Sequence, residues 1–94
     1  MASAEATIAN SNASRYLQQL CKHWSHKYEV TFTPEEGRIP FSNGAVCSLS
    51  ATPDVLTLKV EAADAEAVTR MEAVVINHLK RFAFREDLGD VRWS

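Results

Sequence analysis

Seven consecutive residues, Cys21-Lys22-His23-Trp24-Ser25-His26-Lys27, bring a thiol, two imidazoles, an indole and two ammonium groups together in a chain that has only two Cys, two Trp and three His. Thiolate and imidazole are the donors zinc prefers. Cys21, His23 and His26 are therefore the candidate metal ligands, with Cys47 and His78 as further donors. Helical geometry divides the set. At about 100° per residue Cys21 and His23 point to opposite sides of a helix, whereas His23 and His26 lie about 60° apart. Catalysis by Cys21 would need a base within reach and an electropositive setting; His23 faces the wrong way and no acid is spaced to orient it. No glycine-rich phosphate loop, paired-carboxylate pattern or serine elbow appears. The chain reads as a non-enzymatic protein with no catalytic residue and no cofactor, and an enzymatic pocket is kept as an alternative only at His78.

His78 projects within about 20° of Met71 on a predicted helix, at the edge of its apolar stripe. It is either a neutral histidine bonded to a neighbour or a polar group lining a pocket between helix and sheet. The arginines form the other candidate set. Arg15, Arg38, Arg81 and Arg85, together with His23 and His26, would make a ligand-binding surface for a carboxylate, a phosphate or an acidic partner if they converged, with guanidinium groups offering bidentate geometry.

The elements that must position these groups follow from periodicity. Ala4 to Ala9 alternates as a short strand. Asn10-Ser11-Asn12 supplies side chains able to accept hydrogen bonds at a helix start. From Ala13 the apolar residues Tyr16, Leu17, Leu20, Cys21 and Trp24 share one face, which predicts an amphipathic helix ending near Ser25. That face takes Cys21 and Trp24 to the core, sends Lys22 and His26 to solvent and leaves His23 on the border. Tyr28, Val30 and Phe32 alternate with polar residues as a half-buried strand. Pro34-Glu35-Glu36-Gly37 reads as a turn with Gly37 available for positive φ. Arg38 to Phe41 is extended, and Pro40, which has no N–H to donate, favours an edge. Asn43-Gly44 predicts a hairpin into a strand over Ala45 to Ala51. Pro53-Asp54 turns the chain into Leu56, Leu58 and Val60. Asp64 is placed to cap a second helix with the stripe Ala65, Val68, Met71, Val75, Leu79, Phe82, whose far end carries Lys80, Arg81 and Arg85. The tail from Glu86 is acidic and ends near Trp93, whose bulk suggests that it packs back. The fold class expected is α+β: a two-layer sandwich in the order β-α-β-β-β-β-α, with a mainly antiparallel sheet and two helices on one face.

Composition limits what such a chain does. It is 46% apolar and 23% charged, ordinary for a folded protein, and residues 1–94 are expected to form a single domain. A net charge of −2 and a pI near 5.9 give no global field for nucleic acid or acidic lipid. The N-terminus has no basic and apolar leader pattern, no run is long enough to span a membrane, and two cysteines without an export signal suit a reducing cytoplasm.

The blocks Ser14-Arg15-Tyr16-Leu17, Cys21 to Lys27, Gly37-Arg38-Ile39-Pro40-Phe41, and His78-Leu79 leading to Arg81-Phe82-Ala83-Phe84-Arg85-Glu86 resemble a bacterial family of unknown function, family twenty-two eighteen. The resemblance runs over nearly the whole chain and implies a small α+β protein with no assigned activity. Similar domains are attached to siderophore-interacting flavin reductases. The resemblance thus implies iron–siderophore handling as a context and a flavin reductase as a partner, although this chain has no flavin or nicotinamide-binding region of its own.

Overall fold

A computed structural model of the chain describes residues 2–41, 44–82 and 93. Asn43, Arg85 and the acidic tail from Glu86, Trp93 excepted, lie outside these residues. The element order is β1 (Ala2–Ala9), α1 (Ala13–Trp24), β2 (Thr31–Phe32), β3 (Glu36–Pro40), β4 (Val46–Ala51), β5 (Val55–Ala62) and α2 (Ala65–Phe82). It forms the α+β architecture expected. The five strands make one antiparallel sheet in the order β1-β5-β4-β3-β2. The chain's first strand is therefore the edge beside its last, with Ala2 opposite Ala62 and Ala9 opposite Val55.

Both helices cover one face of the sheet. Ala6, Ile8, Ile39, Cys47, Leu49, Leu56, Leu58, Val60 and Ala62 are buried beneath them. The strand residues between these, such as Glu5, Arg38, Ser50 and Lys59, belong to the opposite face, because successive side chains alternate. All six apolar positions of the first helical stripe, from Ala13 to Trp24, are buried. In α2 the buried stripe is Val68, Met71, Val75 and Leu79. Ala65 is exposed and Phe82 half-buried at its two ends. Trp93 packs against the core as a half-buried side chain, as its bulk suggested.

Local chemistry accounts for the boundaries. Asn10 Oδ1 accepts from the Asn12 amide at 2.6 Å, a turn that delivers the chain into α1, where Asn12 stands at the N-cap with no side-chain bond to the helix amides. Asp64 Oδ1 accepts from the Ala67 amide at 2.8 Å, the expected capping of α2. Thr33 and Thr52 each accept from the amide three residues on, at 3.1 Å, closing the turns before β3 and β5.

Two predicted elements differ. The strand expected from Tyr28 is regular only over Thr31–Phe32. The Lys27 and Tyr28 amides still donate to the Trp24 carbonyl, at 3.0 and 2.9 Å, so the helix unwinds through this stretch before any strand begins. The Pro34–Gly37 turn also ends sooner. Gly37 lies inside β3, opposite Leu49 and Phe32, and Gly44 is the described glycine with positive φ, at 84°. Gly37 serves close approach instead: a Cβ there would stand 2.6 Å from Cys21 Sγ.

Candidate functional site

The C-terminal end of α1 and the C-terminal half of α2 face each other across a shallow valley filled with rings. His23 and His78 have centroids 5.0 Å apart, and Trp24 sits 4.7 Å from His78. Phe82 meets His23 edge-on at 5.8 Å. Phe41, delivered by the end of β3, meets Trp24 edge-on at 5.3 Å and Tyr28 at 5.1 Å. Aromatic pairs favour such edge-to-face and tilted arrangements because the ring edge is positive and the face negative. The rings, with Lys27, Met71 and Val74, line a groove of about 490 Å³. That volume suits a small organic molecule.

The groove's polar groups are specific. His78 Nδ1 lies 2.7 Å from the Val74 carbonyl oxygen. A carbonyl only accepts, so Nδ1 carries the proton and Nε2 keeps its lone pair in the neutral ring. His23 has its pKa held below the ordinary 6.5, first by loss of hydration against its neighbours and then by the like charges of His78, Arg81 and His26. It is neutral at pH 7. Lys27 crosses the Tyr28 ring at 5.7 Å and adds a positive charge to the lining. The described residues that line the groove include no Asp, Glu, Ser, Thr or Cys, and the Tyr28 phenol is their one hydroxyl. The lining groups can hold and orient a bound molecule, with the Trp24 indole N–H, the Tyr28 hydroxyl and the Lys27 ammonium as hydrogen-bond donors.

The structure brings together His23, His26, Arg81 and the pocket candidate His78, and separates the rest of the predicted set. Arg15 is exposed on the first turn of α1, about 12 Å along the axis from His23 at 1.5 Å per residue. Arg38 lies on the sheet face turned away from the helices, since its neighbours Gly37 and Ile39 face α1. Strand alternation therefore removes it from the surface it was expected to share with His23. Arg85 lies outside the described residues. The three metal-ligand candidates do not form one set either. Cys21 is fully buried against Gly37, on the side of α1 away from His23 and His26, which are both exposed. Burial raises the Cys21 thiol to about 11 and the Cys47 thiol to about 12, Cys21 adding to the latter. These two free cysteines are core side chains.

Tyr28, Phe41 and Val74 are groove residues that the sequence alone did not single out. Tyr28 and Phe41 are aromatic residues flanking turns, and that was the available signal; nothing in their spacing joins them to Trp24. Val74 precedes the stripe residue Val75 and needed only the width of the helix face.

The family model described as an uncharacterized protein conserved in bacteria, DUF2218, matches residues 5–94. The chain belongs to this family. A solved relative, the NMR structure of PA4090 from Pseudomonas aeruginosa, shares 35% identity over 100% of this chain and 96% of that one, with a TM-score of 0.83. No curated protein matches the sequence. The DUF2218 chain thus has the fold of its solved relative, and among its described residues no helix is long and apolar enough to cross a membrane.

Proposed function

We propose that this DUF2218 chain is a non-enzymatic binding domain whose groove takes a small molecule with an apolar, flat body and an anionic head. One observation carries this reading: Trp24, Tyr28, Phe41, Met71 and Val74 wall a groove of about 490 Å³ into which His78, His23 and Lys27 converge. An apolar wall with a few placed donors is the usual make-up of a ligand pocket. Arg81 lies close enough to His23 to lower its pKa, and His26 does the same, so the mouth favours negative charge. The resemblance to domains attached to siderophore-interacting flavin reductases extends the proposal to iron–siderophore handling in the cytoplasm, with a flavin reductase as partner. Catecholate groups, which join an aromatic ring to negative oxygens, suit the groove's chemistry.

Titration of 15N-labelled protein in the presence of chelator tests the proposal. Benzoate and 2,3-dihydroxybenzoate are expected to shift the Trp24 indole signal and the amides of His23, Lys27, Tyr28 and His78, and a neutral or cationic benzene derivative to shift them far less. Millimolar anion without those shifts, or equal shifts for the cation, would sink it. Lys27→Gln and Arg81→Gln are expected to weaken the anion response while leaving the spectrum of the free protein intact.

A further inference from the structure

We infer that the chain forms a two-fold dimer by pairing β1 antiparallel with the β1 of a second copy, so that one sheet runs through both. The inference does not rest on the groove, which lies on the other side of α2. It begins from a difference between the two edges of the sheet. An exposed strand edge presents a row of N–H and C=O groups that can pair with another chain, and short strands, charge and proline blunt it. The β2 edge is blunted in this way. β2 has two residues, Thr31–Phe32, and Pro34 follows it. Past its end the outer side belongs to β3, where the Phe41 amide donates to the Ala45 carbonyl at 2.8 Å. Bonding direction alternates along a strand, so Ile39 also bonds inward and Pro40 faces out with no N–H to offer. The β1 edge has none of these protections beyond a single charge. Ala2–Ala9 is eight residues long, contains no proline and carries only Glu5 as a charged residue. Among the described residues no strand pairs with its outer side.

The bonding parity of β1 decides which groups face outward. The Asn10 amide donates to the Asp54 carbonyl at 2.8 Å, one step beyond the pair Ala9 and Val55. Bonded and non-bonded pairs alternate in an antiparallel ladder. Ala4, Ala6 and Ile8 therefore bond to β5, and Ser3, Glu5, Thr7 and Ala9 direct their amides and carbonyls outward. A second β1 must set outward residues against outward residues. Two such registers lie nearest the middle of the strand. Centring the two-fold on Glu5 puts two carboxylates directly opposite, which is unfavourable. Centring it on Ala6 sets Ser3 against Ala9 and Glu5 against Thr7, and all four outward residues gain a partner. In that register the non-bonded pairs, whose side chains approach most closely, are Ala6 with Ala6 and Ala4 with Ile8. Small residues stand where the room is least.

The helical layer fits the same two-fold. α2 lies over β5 and β1, and α1 mainly over β3 and β4. Strands stand about 4.8 Å apart, so an α2 centred over the β1–β5 gap lies about 5 Å from the axis and about 10 Å from its copy, a distance at which helices pack. Ile76 is the side chain this brings to the seam. It stands about 200° from His78 around α2, away from the groove and towards the β1 side. Ile76, Ala2 and Ala4 are half-buried against the core. A second copy covers all three, an isologous contact in which one patch meets itself.

Sedimentation equilibrium of the full chain from micromolar to millimolar concentration tests the inference, with amide hydrogen exchange at both ends of that range. A monomer–dimer equilibrium is expected with no larger species, because the pairing uses up the edge. The amides of Ser3, Thr7 and Ala9 are expected to exchange fast in dilute protein and to be protected in concentrated protein. Those of Ala4, Ala6 and Ile8 are expected to be protected throughout. Thr7→Pro removes an outward N–H without touching the β5 ladder, and is expected to abolish the dimer while the Trp24 and groove amide signals stay unchanged. Thr7→Lys sets an ammonium opposite Glu5 of the second copy and should tighten the dimer, whereas Thr7→Glu should weaken it. The charge variants and the wild-type exchange pattern decide the matter even if the proline variant does not fold. A chain that stays monomeric at millimolar concentration, a dimer that survives Thr7→Pro in folded protein, or equal dimerisation of Thr7→Lys and Thr7→Glu overturns the inference.

Discussion

Gly37 in β3 lies so close to Cys21 of α1 that a Cβ added to the glycine would stand 2.6 Å from the sulfur and 3.4 Å from Leu17 Cδ2. The helix approaches the sheet here through a missing side chain. Gly37→Ala is expected to destabilise the fold by about 1–3 kcal/mol, the usual cost of overpacking a filled core. Pairing it with Cys21→Ala should return part of that loss, because the two changes share one space and are not additive. Denaturant unfolding of the two single variants and the double variant measures the coupling; strict additivity would refute the contact.

The cap of α2 gives a second expectation. The Ala67 amide is bonded by Asp64 Oδ1 at 2.8 Å, so Asp64→Ala should cost about 0.5–2 kcal/mol while Asp64→Ser retains most of the stability. Urea midpoints at constant slope distinguish the two. An alanine variant as stable as the parent would show that another group closes the helix.

Acid should weaken the fold through His23. Its folded pKa lies below the ordinary 6.5, through lost hydration and then through His78, Arg81 and His26. The unfolded chain therefore binds more protons than the folded one between the two values, and stability rises with pH across that window. It is complete above 6.5 and is lost as the pH falls through 6.5 towards the lower folded pKa. His23→Gln should flatten this slope. Unfolding free energies at stepped pH, with the His23 ring titration followed by NMR, check both the sign and the residue.

Both thiols should be silent in the folded protein. Burial raises Cys21 to about 11 and Cys47 to about 12, and neither is accessible to solvent. A thiol-reactive dye at mildly alkaline pH is expected to label neither until denaturant is added, and then to label both. Rapid labelling of native protein at Cys21 would show that α1 opens away from Gly37.

Much of the fold was legible because its signals are local. The stripe from Ala13 to Trp24 follows helical periodicity, and all of it is buried. The same angles separate Cys21 from His23 without any tertiary knowledge. Strand parity also opposes Arg38 to Ile39. Once both helices were expected on one face, that alternation was enough to place Arg38 on the other side, and the convergence assumed for the arginines overlooked it. The groove was less accessible. Trp24, Phe41 and His78 come from three elements, and their meeting depends on how α2 crosses α1, which no spacing rule encodes. The place of β1 beside β5 is hidden for the same reason: alternation says that a stretch is a strand, not which strand it joins. Gly37 was misjudged because a glycine beside a proline turn and a glycine under a helix look alike until the helix is in place.

The edge formed by β1 has a consequence for how the chain is made. Ala9 pairs with Val55 and Ala2 with Ala62, so partners stand 46 to 60 positions apart, and long-range closures of this kind slow folding. During synthesis the first strand emerges first and waits for the fifth. Until it docks, the outer edge of β5, with Leu56, Leu58 and Val60 along it, is an open template of the kind that recruits other chains. The small, alternating residues of β1 thus act as the sheet's guard as well as its border. A chain lacking its first nine residues should keep both helices and the groove while aggregating through β5.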